Sequence, residues 1–149
     1  MANNLTVTKT FGWEMAHMLA NYKGQCRNLH GHSYKLQVTV MRIHEATTFD
    51  MVVDFRDLKK LVNDHIISKY DHAFMYWANT QDEAEKALAT AAQKNGLKVY
   101  AISCRPTAEN MVIQIAADLH TPLEKQGLKL RHLKLWETPS SYAEVDFYE

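Results

Sequence analysis

Apolar side chains fall on odd positions at the start of the chain: Leu5, Val7, Phe11, Trp13 and Met15, with Thr6, Thr8, Thr10 and Glu14 between them. Successive residues of a strand face opposite sides, so this period of two predicts a half-buried strand over 5–17. His17 closes the same apolar face. After a loop the parity turns even. Tyr34, Leu36, Val38 and Val40 alternate with Lys35, Gln37 and Thr39, which predicts a second strand over 33–43. His30 and His32 share that even parity. If neither strand is bulged, all three histidines lie on inward faces. Gly12 is the position where a bulge would shift the register.

The period then changes. Leu58, Leu61, Val62, His65 and Ile66 recur at helical spacing, and Asp57 in the first turn suits the helix dipole. On that stripe His65 reads as a satisfied core histidine. A break follows at Tyr70-Asp71-His72. Ala84, Ala87, Leu88, Ala91 and Ala92 predict the buried stripe of a helix over 81–95, ended by Asn95-Gly96. A short strand spans 98–103. Thr107 is a good N-cap for a helix that buries Val112, Ile115, Ala116 and Leu119 and is closed by Pro122 and Gly127. Two last strands, 129–137 and 142–148, turn at Pro139-Ser140-Ser141. Strands at both ends with helices between them predict one α+β domain over 1–149. Its antiparallel sheet would carry helices on one face, with a helical insertion at about 76–100. Exposed sheet edges make self-association an expectation.

Composition narrows the function. The 149 residues carry no net charge and are 46% hydrophobic, enough for a real core. No basic stripe supports nucleic-acid binding. No apolar run is long enough to span a bilayer, and the N-terminus lacks a signal-peptide pattern, so a cytoplasmic protein with no membrane partner is expected. Two cysteines, Cys26 and Cys104, do not suggest a disulfide framework. Cys104 reads as structural. There is no Gly-rich phosphate loop.

The chemistry gathers near the front. His30-Gly31-His32 can aim two imidazoles at one ion, and His17 can be the third ligand. Three protein ligands leave zinc an open position, as in a catalytic site; imidazole also suits iron, nickel and copper. Cys26 precedes His30 by four residues. As a thiolate it can serve as a base or as a further ligand. In Asp71-His72 a carboxylate can orient an imidazole for proton transfer, although an isolated Asp-His pair is also an ordinary helix-end feature.

The motifs also carry a resemblance. Phe11-Gly12-Trp13-Glu14-Met15-Ala16-His17, Cys26-x-x-x-His30-Gly31-His32, Val53-Asp54-Phe55, Asp71-His72, Pro106-Thr107-Ala108-Glu109-Asn110 and Trp136-Glu137-Thr138 stand in this order. In this the chain resembles the 6-pyruvoyl-tetrahydropterin synthase family, and most of all its bacterial branch, whose product is 6-carboxy-5,6,7,8-tetrahydropterin. The resemblance implies a tunnelling fold, with a four-stranded antiparallel sheet backed by two long helices. Three subunits would close a barrel, and two trimers would stack as a hexamer. It implies Zn2+ on His17, His30 and His32, a thiol base at Cys26 and a proton shuttle at Asp71 and His72. Glu137 would anchor the pterin, with Thr107 and Ala108 beside it; Thr107 as a plain cap is an equal reading.

The implied reaction is a lyase conversion of 7,8-dihydroneopterin triphosphate to 6-carboxy-5,6,7,8-tetrahydropterin, acetaldehyde and triphosphate, a step of queuosine and deazapurine biosynthesis. The short gap from Cys26 to His30 is similar to that branch. Elimination of triphosphate alone, a different pterin aldolase and a non-catalytic pterin-binding protein stay as alternatives. Arg27, Lys35 and His132 are candidate cations for the triphosphate, and Trp13, Trp77 and Trp136 read as packing residues.

Overall fold

Four long strands form the frame, and their register carries the site. The computed structural model describes residues 4–44 and 50–147. The strands are β1 (Val7–His17), β2 (His30–Arg42), β3 (Phe74–Trp77), β4 (Val99–Ile102), β5 (Leu128–Thr138) and β6 (Ser141–Asp146). The helices are α1 (Phe55–Val62), α2 (Ser68–Tyr70), α3 (Glu83–Lys94) and α4 (Ala108–Lys125); a π-helical turn, Asn63–Ile67, joins α1 to α2. β1 and β2 pair antiparallel without a slip, from Val7 opposite Val40 to His17 opposite His30. Gly12 therefore makes no bulge, and the parity read from the sequence holds to the end of both strands. β2 starts earlier than its apolar alternation, so His30 and His32 belong to the ladder itself.

Phe11, Trp13, Met15, Tyr34, Leu36, Val38 and Val40 face α1 and α4 and are buried. Leu58, Leu61 and Val62 close the core from α1, and Met111, Val112, Ile115, Leu119 and Leu123 from α4. Each such aliphatic side chain, fully buried, contributes roughly 1.5–3 kcal/mol. Asp54 caps α1 by accepting the Arg56 N–H at 2.8 Å. His65 is half-buried and donates its Nδ1–H to the Leu61 carbonyl at 2.9 Å, which agrees with a core histidine.

Three expectations are corrected. The sheet has six strands, in the order β4-β3-β1-β2-β5-β6, not four. The antiparallel set β1-β2-β5-β6 is present, but β3 and β4 extend it in parallel. The segment 76–100 is thus no helical insertion alone: it is most of a strand–helix–strand unit in which α3 is the crossover. The short strand expected over 98–103 is β4, whereas β3 carries too little alternation to announce itself, and a parallel pair declares itself only through its crossover.

Second, the alanine stripe of α3 faces outward. Glu85 and Ala89 are its buried residues, and Leu88 is 37% exposed. The helix covers only two short strands, so a narrow face suffices, and Glu85 enters it by accepting the Trp77 N–H at 3.2 Å. Third, Pro122 lies inside α4, which runs on to Lys125. Only Gly127, at φ +73°, marks the stop. The end of the last expected strand, at Tyr148, lies outside the described residues.

Candidate metal centre and active site

The ends of β1 and β2 bring three imidazoles together. His17 is fully buried. Its Nδ1 lies 2.8 Å from the Pro106 carbonyl, and that of His30 lies 2.7 Å from the Asn28 carbonyl. A carbonyl only accepts, so each Nδ1 carries the proton and each Nε2 presents a bare lone pair. The two Nε2 atoms stand 3.1 Å apart. The His32 Nε2 is buried without a hydrogen-bond partner and lies 3.6 Å from the Glu137 Oε1. One nitrogen from each ring fits within a 4.8 Å group.

This arrangement fits a metal ion. Two bare lone pairs at 3.1 Å repel each other unless a cation lies between them, and tetrahedral zinc with Zn–N near 2.0–2.1 Å spaces its ligands by about 3.3 Å. Burial lowers the His17 pKa to about 4, against the Pro106 bond, which raises it; His30 and His32 lower it further. Burial also lowers that of His32, opposed by the Glu137 carboxylate. His17 and His32 are therefore held neutral, the form that ligates.

Around the cluster stand residues from four segments. The Tyr34 hydroxyl lies 3.4 Å from His17 Nδ1, and burial pushes its pKa up, so it stays a phenol. Sequence reasoning placed Tyr34 only in the core, although its parity is that of His32. Thr107 is the N-cap of α4, its Oγ1 accepting the Asn110 N–H at 3.1 Å. Ala108 follows, buried, and the preceding Pro106 carbonyl holds His17. Pro106 thus touches His17, with Thr107 and Ala108 next in the chain. Glu137 sits at a slip between β5 and β6, where Trp136 opposes Tyr142 and Thr138 opposes Ser141. That slip leaves Glu137 outside the ladder.

Cys26 lies half-buried in a 3-10 turn, Gln25–Arg27, and is a free thiol. Its carbonyl accepts the Leu19 N–H at 2.9 Å, which ties the loop to the end of β1. It is not part of the three-histidine ligand group, so the reading as a fourth ligand gains no geometry here. Of the candidate cations, Arg27 faces Asp82 at 3.8 Å, Lys35 stacks over Trp136 at 4.6 Å, and His132 pairs with Glu144 at 2.7 Å.

Asp71 and His72 stand apart from this group. The His72 Nδ1 lies 2.9 Å from Asp71 Oδ1, and the same oxygen accepts the Glu14 N–H at 3.1 Å. The His72 N–H donates to the Glu14 carbonyl at 2.6 Å. The pair therefore hangs on the outer edge of β1. His72 is 75% exposed. It borders a cavity of about 540 Å³ with Glu14, Ala16, Gly31, Ser33 and Lys98. Glu14, Ala16, Gly31 and Ser33 have the parity opposite to that of the histidines, but His32 and Met15 line the same cavity. Among the described residues no hydrogen bond or ion pair joins Asp71 or His72 to Cys26 or to the imidazoles.

Known proteins share this frame. The profile of the 6-pyruvoyl tetrahydropterin synthase family matches residues 6–147. A 6-carboxy-5,6,7,8-tetrahydropterin synthase of Haemophilus influenzae is 38% identical over 141 residues, covering 93% of this chain and 96% of its own. One from Aquifex aeolicus is 37% identical over 125 residues, covering 80% and 75%. Among solved structures, the 6-pyruvoyl tetrahydropterin synthase of Caenorhabditis elegans superposes with a TM-score of 0.66 at 22% identity, covering 97% of this chain and 96% of its own. An uncharacterised protein of Wolinella succinogenes reaches 0.72 at 19% identity, covering 95% and 97%. Those two likenesses speak for the fold, and the profile and the curated relatives for the family: the chain belongs to the 6-pyruvoyl tetrahydropterin synthase family.

Proposed function

We propose that this pterin lyase is a zinc-dependent 6-carboxy-5,6,7,8-tetrahydropterin synthase. It would convert 7,8-dihydroneopterin triphosphate to 6-carboxy-5,6,7,8-tetrahydropterin, acetaldehyde and triphosphate, within queuosine and deazapurine biosynthesis in the cytoplasm. The observation that carries the reading is a cluster of three imidazoles with a carboxylate beside it, in a chain 38% identical to an H. influenzae protein of that name.

His17, His30 and His32 would hold the ion. When bound, it supplies Lewis acidity toward the substrate's side-chain hydroxyls, which acidifies the neighbouring C–H protons. The chain's own groups do the rest. Burial keeps His17 neutral, and the Pro106 carbonyl keeps it aimed. Glu137, half-buried beside His32, would accept hydrogen bonds from the pterin's 2-amino group and ring N–H, and a desolvated carboxylate needs such partners. Thr107 and Ala108 would border the ring. The Cys26 thiolate would take a proton from the substrate side chain. Asp71, 2.9 Å from the His72 Nδ1, would orient that imidazole so that its Nε2 accepts a proton and returns it.

Among the described residues no hydrogen bond or ion pair joins Cys26 to His72, and β6 leaves a sheet edge open. Both points favour a homo-oligomer, trimer or hexamer, in which copies complete the site between them.

The test is a product assay of the zinc-loaded protein and its Cys26→Ala variant on 7,8-dihydroneopterin triphosphate. Acetaldehyde with 6-carboxytetrahydropterin, lost in the variant, is the expected result. A pyruvoyl product without acetaldehyde would move the enzyme to triphosphate elimination alone. No turnover by either protein would leave a pterin-binding role.

A further inference from the structure

The strand–helix–strand unit made by β3, α3 and β4 reaches back to the Asp71–His72 turn through one side chain. Lys98 opens the approach to β4, and its own carbonyl accepts the Phe74 N–H at 3.0 Å. Its Nζ donates to the Ser68 carbonyl at 2.8 Å and to the Asp71 carbonyl at 2.5 Å. A lysine that bonds the last carbonyls of a helix is in one respect an ordinary C-terminal cap. The second of these carbonyls is a special one, because it belongs to the peptide that joins Asp71 to His72.

His72 has φ +66°, a left-handed conformation that side chains other than glycine adopt at a cost. Something must hold it there. The peptide plane between Asp71 and His72 is gripped at both ends. Its N–H donates to the Glu14 carbonyl at 2.6 Å, and its C=O accepts from Lys98 at 2.5 Å. Rotating that plane would break both bonds and carry the imidazole away from Asp71 Oδ1. The Glu14 bond belongs to the strand frame; the Lys98 bond comes from the added unit.

We propose that Lys98 is a positioning residue: by fixing the Asp71–His72 peptide plane it holds the His72 imidazole in its working orientation. The added unit thereby buttresses the proton-transfer pair as well as enlarging the sheet. The inference rests on the proton-shuttle reading of Asp71 and His72 given above.

The experiment compares zinc-loaded wild type, Lys98→Met, Lys98→Arg, Asp71→Ala and the double variant Lys98→Met/Asp71→Ala on 7,8-dihydroneopterin triphosphate. Lys98→Met keeps the stem and loses the donor. The expected result is a kcat about tenfold lower with KM and metal content unchanged, recovery to within roughly threefold in Lys98→Arg, and little further loss when Lys98→Met is added to Asp71→Ala. A kcat for Lys98→Met within about twofold of wild type, or a full additional loss in the Asp71→Ala background, would overturn the proposal.

Hydrogen exchange of the His72 amide, read by NMR, gives an answer independent of turnover. Protection should fall in Lys98→Met and persist in Lys98→Arg. If wild type does not turn over the substrate, the proposed reaction fails on that count, and unchanged His72 protection in Lys98→Met is then what overturns the positioning role.

Discussion

The imidazole cluster and the Asp71–His72 turn are built in opposite ways. The cluster is sheltered: His17 is fully buried, His30 and His32 are half-buried, and carbonyls of neighbouring segments hold the Nδ1 atoms of two of its rings. The Asp71–His72 turn is wet, with the His72 side chain 75% exposed and its backbone left-handed. Packing holds the first and backbone hydrogen bonds hold the second. The first therefore resists motion with the whole core behind it. The second depends on a few directional contacts, each of which one substitution can remove.

The largest test of this contrast pairs His17→Ala with His72→Gly. His17→Ala removes a buried ligand that packs at the end of β1. Metal binding and turnover should be lost, with a destabilisation above about 2 kcal/mol in urea unfolding. His72→Gly should act the other way on stability. A left-handed residue that is not glycine costs roughly 1–2 kcal/mol, which glycine does not pay, while glycine's greater freedom in the unfolded chain offsets about 0.5–1 kcal/mol. The melting temperature should hold or rise slightly while turnover falls by about 10²–10⁴, the usual share of a general acid or base. A large drop in melting temperature for His72→Gly would show that this turn is structural after all.

Acid should separate the two regions next. The pKa of His17 is lowered to about 4, chiefly by burial. Between pH 6.5 and 4 the unfolded metal-free chain therefore binds a proton that the folded one refuses. Stability present above pH 6.5 is lost as pH falls through that window, with a slope approaching about 1.4 kcal/mol per pH unit from this group. Urea midpoints of the chelator-treated protein measure it. The sharper form of the experiment repeats the series with metal bound. The ion competes with the proton for the same lone pairs, so the loss should shift to lower pH. An identical acid profile with and without metal would remove the cluster from its role as ligand set.

The same contrast explains what could be read from the chain. Strand parity is a local signal, and it carried His17, His30 and His32 to one face because β1 and β2 pair without a slip. Glu137 came from the family resemblance; it shares the parity of Leu133 and Leu135, which are buried, and the slip between β5 and β6 at that point was not legible. What sequence missed is non-local. The Pro106 carbonyl that holds His17 comes 89 residues later in the chain. Lys98 meets Asp71 across 27 residues, through a helix whose alanines gave no guide to which face is buried. β3 is four residues long, and its pairing to β1 and β4 depends on the crossover being in place.

The smallest effect concerns how firmly the cluster is carried. Thr107 and Asp54 are both N-caps, each accepting a backbone N–H in the first turn of its helix. Replacing either by Ala should cost about 1 kcal/mol. Their consequences should differ. Asp54 caps α1, which among the described residues gives the cluster no hydrogen bond, so Asp54→Ala should leave metal affinity unchanged. Thr107 caps α4 directly after Pro106, whose carbonyl orients His17. Fraying that turn loosens an outer-shell partner without deleting it, so Thr107→Ala should weaken metal binding by less than the roughly 10–100-fold that loss of such a partner costs. Thr107→Ser keeps the capping oxygen and should restore both stability and affinity. If Thr107→Ala and Asp54→Ala proved alike in metal titration, the cluster would be held by burial alone, and the Pro106 bond would report its position without maintaining it.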